Sequence, residues 1–221
     1  LEIGSGAGRF SNIILKHTKA KLFSIEPSSA IYANKKNNFS SDVKSRFFLF
    51  KSSLYDLPFE KEQFDIVICF GVLQHTPNID KSLICLTENL KKGGYLFLDF
   101  YPYNGFWTYI HSKYILRPIT KRMNLEKLYF LVDRYLDRMI RIYDFLCKLG
   151  LYHLTRFIPI ADIKKTIPEN IEYKSKREII LLDTIDMLTP KFDKPQKIKN
   201  ISKKLKKLKL NILYSGKVYY K

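Results

Sequence analysis

The sequence is short of cysteine, of histidine, of acidic residues and of long apolar runs. Its three cysteines, Cys69, Cys85 and Cys147, show neither paired nor metal-ligand spacing, which speaks against a disulfide-stapled fold. They suit a reducing, cytosolic setting, and Cys69 lies inside an apolar run that reads as core. Four scattered histidines make no zinc pattern, so no metal is expected. No run of 18 clean apolar residues is present, so no spanning helix is indicated. Internal repeats and low-complexity linkers are missing too. Acidic residues number 21 against 39 lysines and arginines, a formal net charge of +18. The imbalance is uneven: residues 1–100 hold 13 basic and 10 acidic side chains, residues 101–221 hold 26 and 11. Such a surplus fits either solvated lysines or an anionic partner, whether membrane surface, phosphorylated acceptor or nucleic acid.

What is present begins with a glycine loop. The chain opens on Leu1, not Met, already inside a strand, so an N-terminally truncated chain is expected. Leu1-Glu2-Ile3 reads as a strand end, Gly4-Ser5-Gly6-Ala7-Gly8 as a tight loop, and residues 9–18 as a helix. A helix N-terminus aimed at such a loop offers N–H groups to a polar or anionic ligand. A dinucleotide fingerprint would place its third glycine where Arg9 stands. Glu26 ends the strand read over residues 21–26, where a carboxylate can accept hydrogen bonds from a ribose diol. Loop and carboxylate together point to an adenosine-type ligand.

The rest of the chain alternates. A helix over 30–37, capped by Ser28 or Ser29, precedes a short strand at 46–50. Residues 64–70 are nearly all apolar, as in a strand buried on both faces of a parallel sheet. A helix over 79–90, closed by Gly93-Gly94, leads to a fifth strand at 95–100. Strands alternating with helices predict a doubly wound α/β sheet in one large domain, or a domain plus a lid. At Tyr101 the character changes. Residues 101–109 are aromatic and rich in turn formers. A helix then carries the stripe Leu125, Leu128, Val132, Tyr135, Met139, Ile142, Leu146 and Leu149, ended by Gly150, with Asp137–Arg141 and Asp144–Lys148 as i,i+4 pairs. It reads as the packing helix of a lid; a short coiled-coil seam is the alternative. Ile198, Ile201, Leu205 and Leu208 line one face of a last helix, lysines the rest. Residues 211–214 and 217–220 read as a closing hairpin.

Motifs along the first half converge. Asp56-Leu57-Pro58-Phe59, Phe64-Asp65-Ile66-Val67, Gly71-Val72-Leu73-Gln74-His75-Thr76-Pro77 and Leu90-Lys91-Lys92-Gly93-Gly94-Tyr95-Leu96-Phe97 follow the glycine loop in order. Together they resemble the class I S-adenosylmethionine-dependent methyltransferases, in the broad branch with quinone-biosynthesis and other small-molecule enzymes. The resemblance covers residues 1–100 and the last thirty or so. It implies a Rossmann-like, mostly parallel sheet with an antiparallel last strand and a helical lid insertion. Residues 1–100 would bind S-adenosyl-L-methionine, 101–190 would form the acceptor-binding lid, and 191–221 would complete the core.

The resemblance also implies roles. Glu2, Gly4, Ser5, Gly6 and Gly8 would hold the methionine part of the cofactor, and Glu26 the ribose hydroxyls. Ser53 and Leu54 stand where an acidic residue and a following N–H meet the adenine; Ser53 departs from that pattern, and Asp56 is one turn away to compensate. Phe70 and Gly71 would end strand 4 beside the cofactor. His75 is the one residue here suited to general-base work, just past strand 4; the alternative is a helix-start histidine that packs on the cofactor or bonds backbone. Residues 182–190 resemble a stretch of some members of the branch, in which Asp183 and Asp186 would orient an acceptor or cap a helix.

The implied activity is methyl transfer to a small-molecule, glycan or lipid-linked acceptor, oxygen favoured. The setting is cytoplasmic, with peripheral contact at an anionic membrane through the basic half. Two other readings stay open. One is an RNA-binding or RNA-modifying protein using that half, against which no Asn-Pro-Pro-Tyr-type run follows strand 4. The other is a non-catalytic cofactor-fold module.

Overall fold

A computed structural model describes residues 1–166 and 171–216. The chain divides into two compact units, Leu1–Pro102 with Phe192–Gly216, and Tyr103–Lys191. In the first unit β1 (Glu2–Ile3), α1 (Arg9–His17), β2 (Leu22–Ile25), α2 (Ala30–Asn38), β3 (Phe47–Phe50), β4 (Phe64–Cys69), α3 (Ile79–Glu88) and β5 (Leu90–Leu98) follow one another. The sheet order is β3-β2-β1-β4-β5 and every pairing is parallel. The order reverses between β1 and β4, so the loops leaving these two strands diverge and open a crevice at their carboxyl ends.

Local chemistry explains the boundaries. Asn78 caps α3 with its side chain accepting from the Lys81 N–H at 3.0 Å, and the helix stops at Glu88. The expected closure of this helix at Gly93-Gly94 is not found, because both glycines lie inside β5. A Cβ at Gly94 would meet the Asp65 carbonyl oxygen at 2.8 Å, so the glycine permits close approach of two strands. In β4, Phe64, Val67 and Cys69 are buried, but Ile66 is 45% exposed, so burial on both faces holds only in part. Burial pushes the Cys69 thiol up to about 12, as expected of an inert core cysteine.

The second unit is helical: α4 (Ser112–Thr120), α5 (Leu125–Lys148), α6 (Ile163–Thr166) and α7 (Tyr173–Leu188). Asn124 caps α5, accepting from the N–H groups of Glu126 at 2.8 Å and Lys127 at 3.3 Å. The buried stripe of α5 is Leu128, Val132, Leu136, Ile140 and Tyr143. It is rotated from the expected one: Leu125, Tyr135, Ile142 and Leu149 are exposed. The rotation follows α7, whose Arg177 donates to Asp133 at 2.8 Å and to Asp137 at 3.1 Å. Asp137 thus bonds across helices to Arg177, and to Tyr173 at 2.7 Å. Asp183 and Asp186 lie in the body of α7, so neither caps a helix.

The chain then returns to the first unit as α8 (Ile198–Lys207). Ile201 and Leu205 are buried in the cluster that also holds Ile3, Ile25, Val67 and Leu83. Lys204 pairs with Asp80 of α3 at 2.7 Å, while Lys203, Lys206 and Lys207 face solvent. The expected antiparallel last strand is not borne out. Residues 211–214 form no strand, and residues 217–220 lie outside the described residues. Lys209 takes a left-handed φ of 62° and Leu210 donates to the Leu205 carbonyl at 3.1 Å, so the chain closes α8 and runs on irregularly. Among the described residues the sheet is entirely parallel and ends at β5.

Candidate functional site

The glycine loop bridges β1 and α1 at the carboxyl edge of the sheet. The N–H groups of Gly4 and Ser5 both donate to the Ile25 carbonyl, at 2.8 and 3.0 Å, which ties the loop to β2. A Cβ at Gly4 would sit 2.2 Å from Val72 Cγ2, and one at Gly8 would meet the side chains of Asn34 and Asn38. These two glycines are therefore demanded by packing. At Gly6 an added Cβ would meet nothing within 4 Å, so the open side of the loop is there.

Glu26, at the end of β2, faces this opening. Its Oε2 accepts from the Gly6 N–H at 2.9 Å and its Oε1 from the Ser28 N–H at 2.9 Å. A carboxylate has about four acceptor sites, so both oxygens retain capacity for a diol. Glu2 is 2% exposed, and its Oε2 accepts from the hydroxyls of Ser11 and Ser24, each at 2.6 Å. Its Oε1 and the Ser5 hydroxyl are buried with no hydrogen-bond partner among the described residues. Unsatisfied polar atoms of this kind carry a cost unless something else pairs with them. A ligand with an ammonium and hydroxyl groups fits that set of donors and acceptors.

Ser53 lies in a turn, its hydroxyl accepting from the Tyr55 N–H at 3.2 Å. The Leu54 side chain is buried in the core, so only its backbone is available to a ligand. Exposed Asp56, with Ser52, lines a shallow depression of about 420 Å³ at the end of β3. On the other side of the loop, the Phe70 ring meets Phe10 of α1 edge-on at 5.1 Å, and Gly71 has a φ of 70° with open space where a Cβ would be.

His75 ends a 3-10 turn over Leu73–His75. Its Nδ1 lies 2.9 Å from the Phe192 carbonyl. A carbonyl only accepts, so Nδ1 carries the proton and Nε2 presents its lone pair. The ring also meets Tyr101 edge-on at 5.6 Å. The sequence reading thus gathers Glu2, Gly4, Ser5, Gly6, Gly8 and Glu26 around one loop, with Phe70, Gly71 and His75 beyond the neighbouring strand.

Three features escaped it. Asp99, just past β5, accepts from the Gly71 N–H at 2.5 Å, and burial holds its carboxyl above the usual range against that hydrogen bond. Only its position at a strand end signals it. Gln74 is fully buried, and its amide has no partner among the described residues. The third is a buried polar chain behind the loop. Asn34 donates to Ser11 at 3.0 Å, Asn38 donates to Asn34 and to the Gly8 carbonyl at 2.9 Å each, and Asn12 donates to Asn38 at 2.8 Å.

A family profile described as a methyltransferase domain matches residues 1–98. A tRNA U34 carboxymethyltransferase of Sulfurovum sp. (strain NBC37-1) is 27% identical over 129 residues, covering 58% of this chain and 41% of that protein. The chain therefore spans about two fifths of the length of that curated relative. Among solved structures, an S-adenosylmethionine-dependent methyltransferase of Thermotoga maritima is 27% identical with a TM-score of 0.39, covering 49% of this chain and 47% of that one. A Bacillus subtilis protein is 19% identical with a TM-score of 0.44, covering 52% and 50%.

Proposed function

We propose that this protein, whose residues 1–98 match a methyltransferase-domain profile, is a class I S-adenosylmethionine-dependent methyltransferase that transfers a methyl group to a small-molecule, glycan or lipid-linked acceptor, at oxygen before carbon or nitrogen. The observation that carries the reading is Glu26, held by two backbone N–H groups against the open glycine of the loop. In this reading Glu26 binds the ribose, Glu2 and Ser5 face the methionine end, and Asp56 takes up the adenine contact that Ser53 makes weakly. Phe70 and Gly71 would stand beside the cofactor, and the insertion over residues 101–190 would bind the acceptor. S-adenosyl-L-methionine supplies an already activated methyl group, so the chain's work is alignment, exclusion of water and removal of one proton. His75 Nε2 takes that proton from an acceptor hydroxyl, its ring held in the right tautomer by the Phe192 carbonyl.

Titration calorimetry and single-turnover assays test this. The protein should bind S-adenosyl-L-methionine and ignore nicotinamide dinucleotides. His75→Asn should keep donor binding and lose about 10²–10⁴ in rate. Tight NADH binding with no response to the methyl donor would sink the assignment. A second reading, RNA modification, is favoured by the tRNA-acting relative and by the basic surplus after residue 100. It predicts RNA binding whose affinity falls steeply with salt.

A further inference from the structure

The segment from Phe100 to Leu125 contains no acidic residue and holds Lys113, Arg117, Lys121 and Arg122; Lys121 and Arg122 are exposed, Lys113 is half-buried, and Arg117 is buried and donates to the Met187 carbonyl. Within it, large apolar side chains stand in solvent. Phe106 is 75% exposed and Trp107 64%, on a 3-10 turn over Gly105–Thr108. Ile115 is 60% exposed and Ile119 65%, one turn apart on the same side of α4. The residues by which α4 packs are Ser112, which donates to the Ile158 carbonyl at 2.9 Å, Arg117, and Thr120, which donates to the Leu188 carbonyl at 2.8 Å. Arg156 donates to the Trp107 carbonyl, and its guanidinium carbon lies 5.9 Å from the ring centre. The tryptophan is thereby held at the surface beside a cation.

The geometry points to this face as an attachment site for an anionic lipid bilayer. The choice among partners rests on chemistry. Aromatic rings suit the headgroup boundary, and basic residues at their rim meet anionic lipid. A nucleic acid stacks on flat rings but has nothing to offer two isoleucines. A segment of this length without one carboxylate, carrying exposed Lys121 and Arg122, is complementary to a negative surface. The site differs from the lysine-rich α8, whose apolar residues Ile201 and Leu205 are already buried in the core. It shares no residue with the donor-binding set, since every residue in it belongs to the unit 103–191.

Trp107 is the only tryptophan, so its emission reports this face alone. Full-length chain is mixed with vesicles of phosphatidylcholine, with and without phosphatidylglycerol. With the anionic vesicles the emission should move to shorter wavelength and the protein should sediment; both effects should fade as salt is added. Ile115→Asn with Ile119→Asn should weaken partitioning about tenfold or more. Phe106→Ser, at the other end of the face, should weaken it as well. Replacing Lys203, Lys206 and Lys207 by glutamine should leave the emission shift in place. The proposal fails if wild type ignores anionic vesicles at low salt, or if binding depends on the α8 lysines and not on the isoleucines. It fails equally if RNA moves the emission where vesicles do not, or if the face proves to join two copies of the chain. Donor titration of every variant keeps the two ideas apart: lost vesicle binding with intact donor binding leaves methyl transfer standing, and the reverse leaves the lipid face standing.

Discussion

A methyl group added at Gly8 would lie 2.1 Å from Asn38 Nδ2 and 2.2 Å from Asn34 Oδ1, on a residue whose φ is 90°. Gly8→Ala should therefore destabilise the fold by about 2–4 kcal/mol, as overpacking and backbone strain combine; urea unfolding measures it. Gly6→Ala meets no neighbour and should cost only about 1 kcal/mol. Its effect should appear in donor binding instead, and a stability loss matching that of Gly8 would refute the distinction. Glu26→Ala should weaken donor binding by about 1–3 kcal/mol with the fold intact, and Glu26→Gln should fall between. An unchanged titration would show that Glu26 does not touch the ribose.

Between elements, the α5–α7 pairing offers a pH test. Arg177, and then Tyr173, hold the Asp137 carboxyl below its usual range. A carboxyl lowered on folding stabilises the native state above its unfolded value, about 4, and the contribution disappears as pH falls through the lowered value. Wild type should exceed Asp137→Asn by no more than about 1 kcal/mol at neutral pH, since the pair is partly solvated. Unfolding series at several pH values should show the gap close below about pH 4. The same helix shows where sequence reading ends. Its length and its end before Gly150 were legible, because period and the glycine signal are local. Its buried side was not, because Leu136 and Tyr135 are both apolar and α7 alone decides which faces inward. The alternation of strands with helices and the glycine loop were legible for the same local reasons. Gly93-Gly94 misled because a glycine pair marks a helix end and a close strand approach alike. Asp99 gave only its position at a strand end as a sign, since its role depends on a neighbouring strand. The Asn34–Asn38 network gave none either, because three segments must meet before it exists.

At the scale of the molecule, the first unit is discontinuous. The Lys194 N–H donates to the Gln74 carbonyl at 2.8 Å, the Gln196 N–H to the Tyr101 carbonyl at 2.8 Å, and Ile201 and Leu205 fill its core. Pro102 and Gln196 form a parallel bridge, so the chain leaves and re-enters this unit at neighbouring points. Replacing residues 103–191 by a short glycine-serine linker should leave a folded unit that still binds the methyl donor. Ending the chain at Lys191 should not, and circular dichroism with donor titration separates the two outcomes. A folded, donor-binding 1–191 fragment would mean that α8 is dispensable.

Discontinuity of this kind imposes an order in time. On the ribosome, residues 103–191 are complete as a contiguous stretch before α8 has been made. The five strands emerge earlier still, yet the layer that Ile201 and Leu205 supply arrives last. The first unit made is thus the second to finish, and during that interval its apolar surface stands open to chaperones, proteases and other nascent chains.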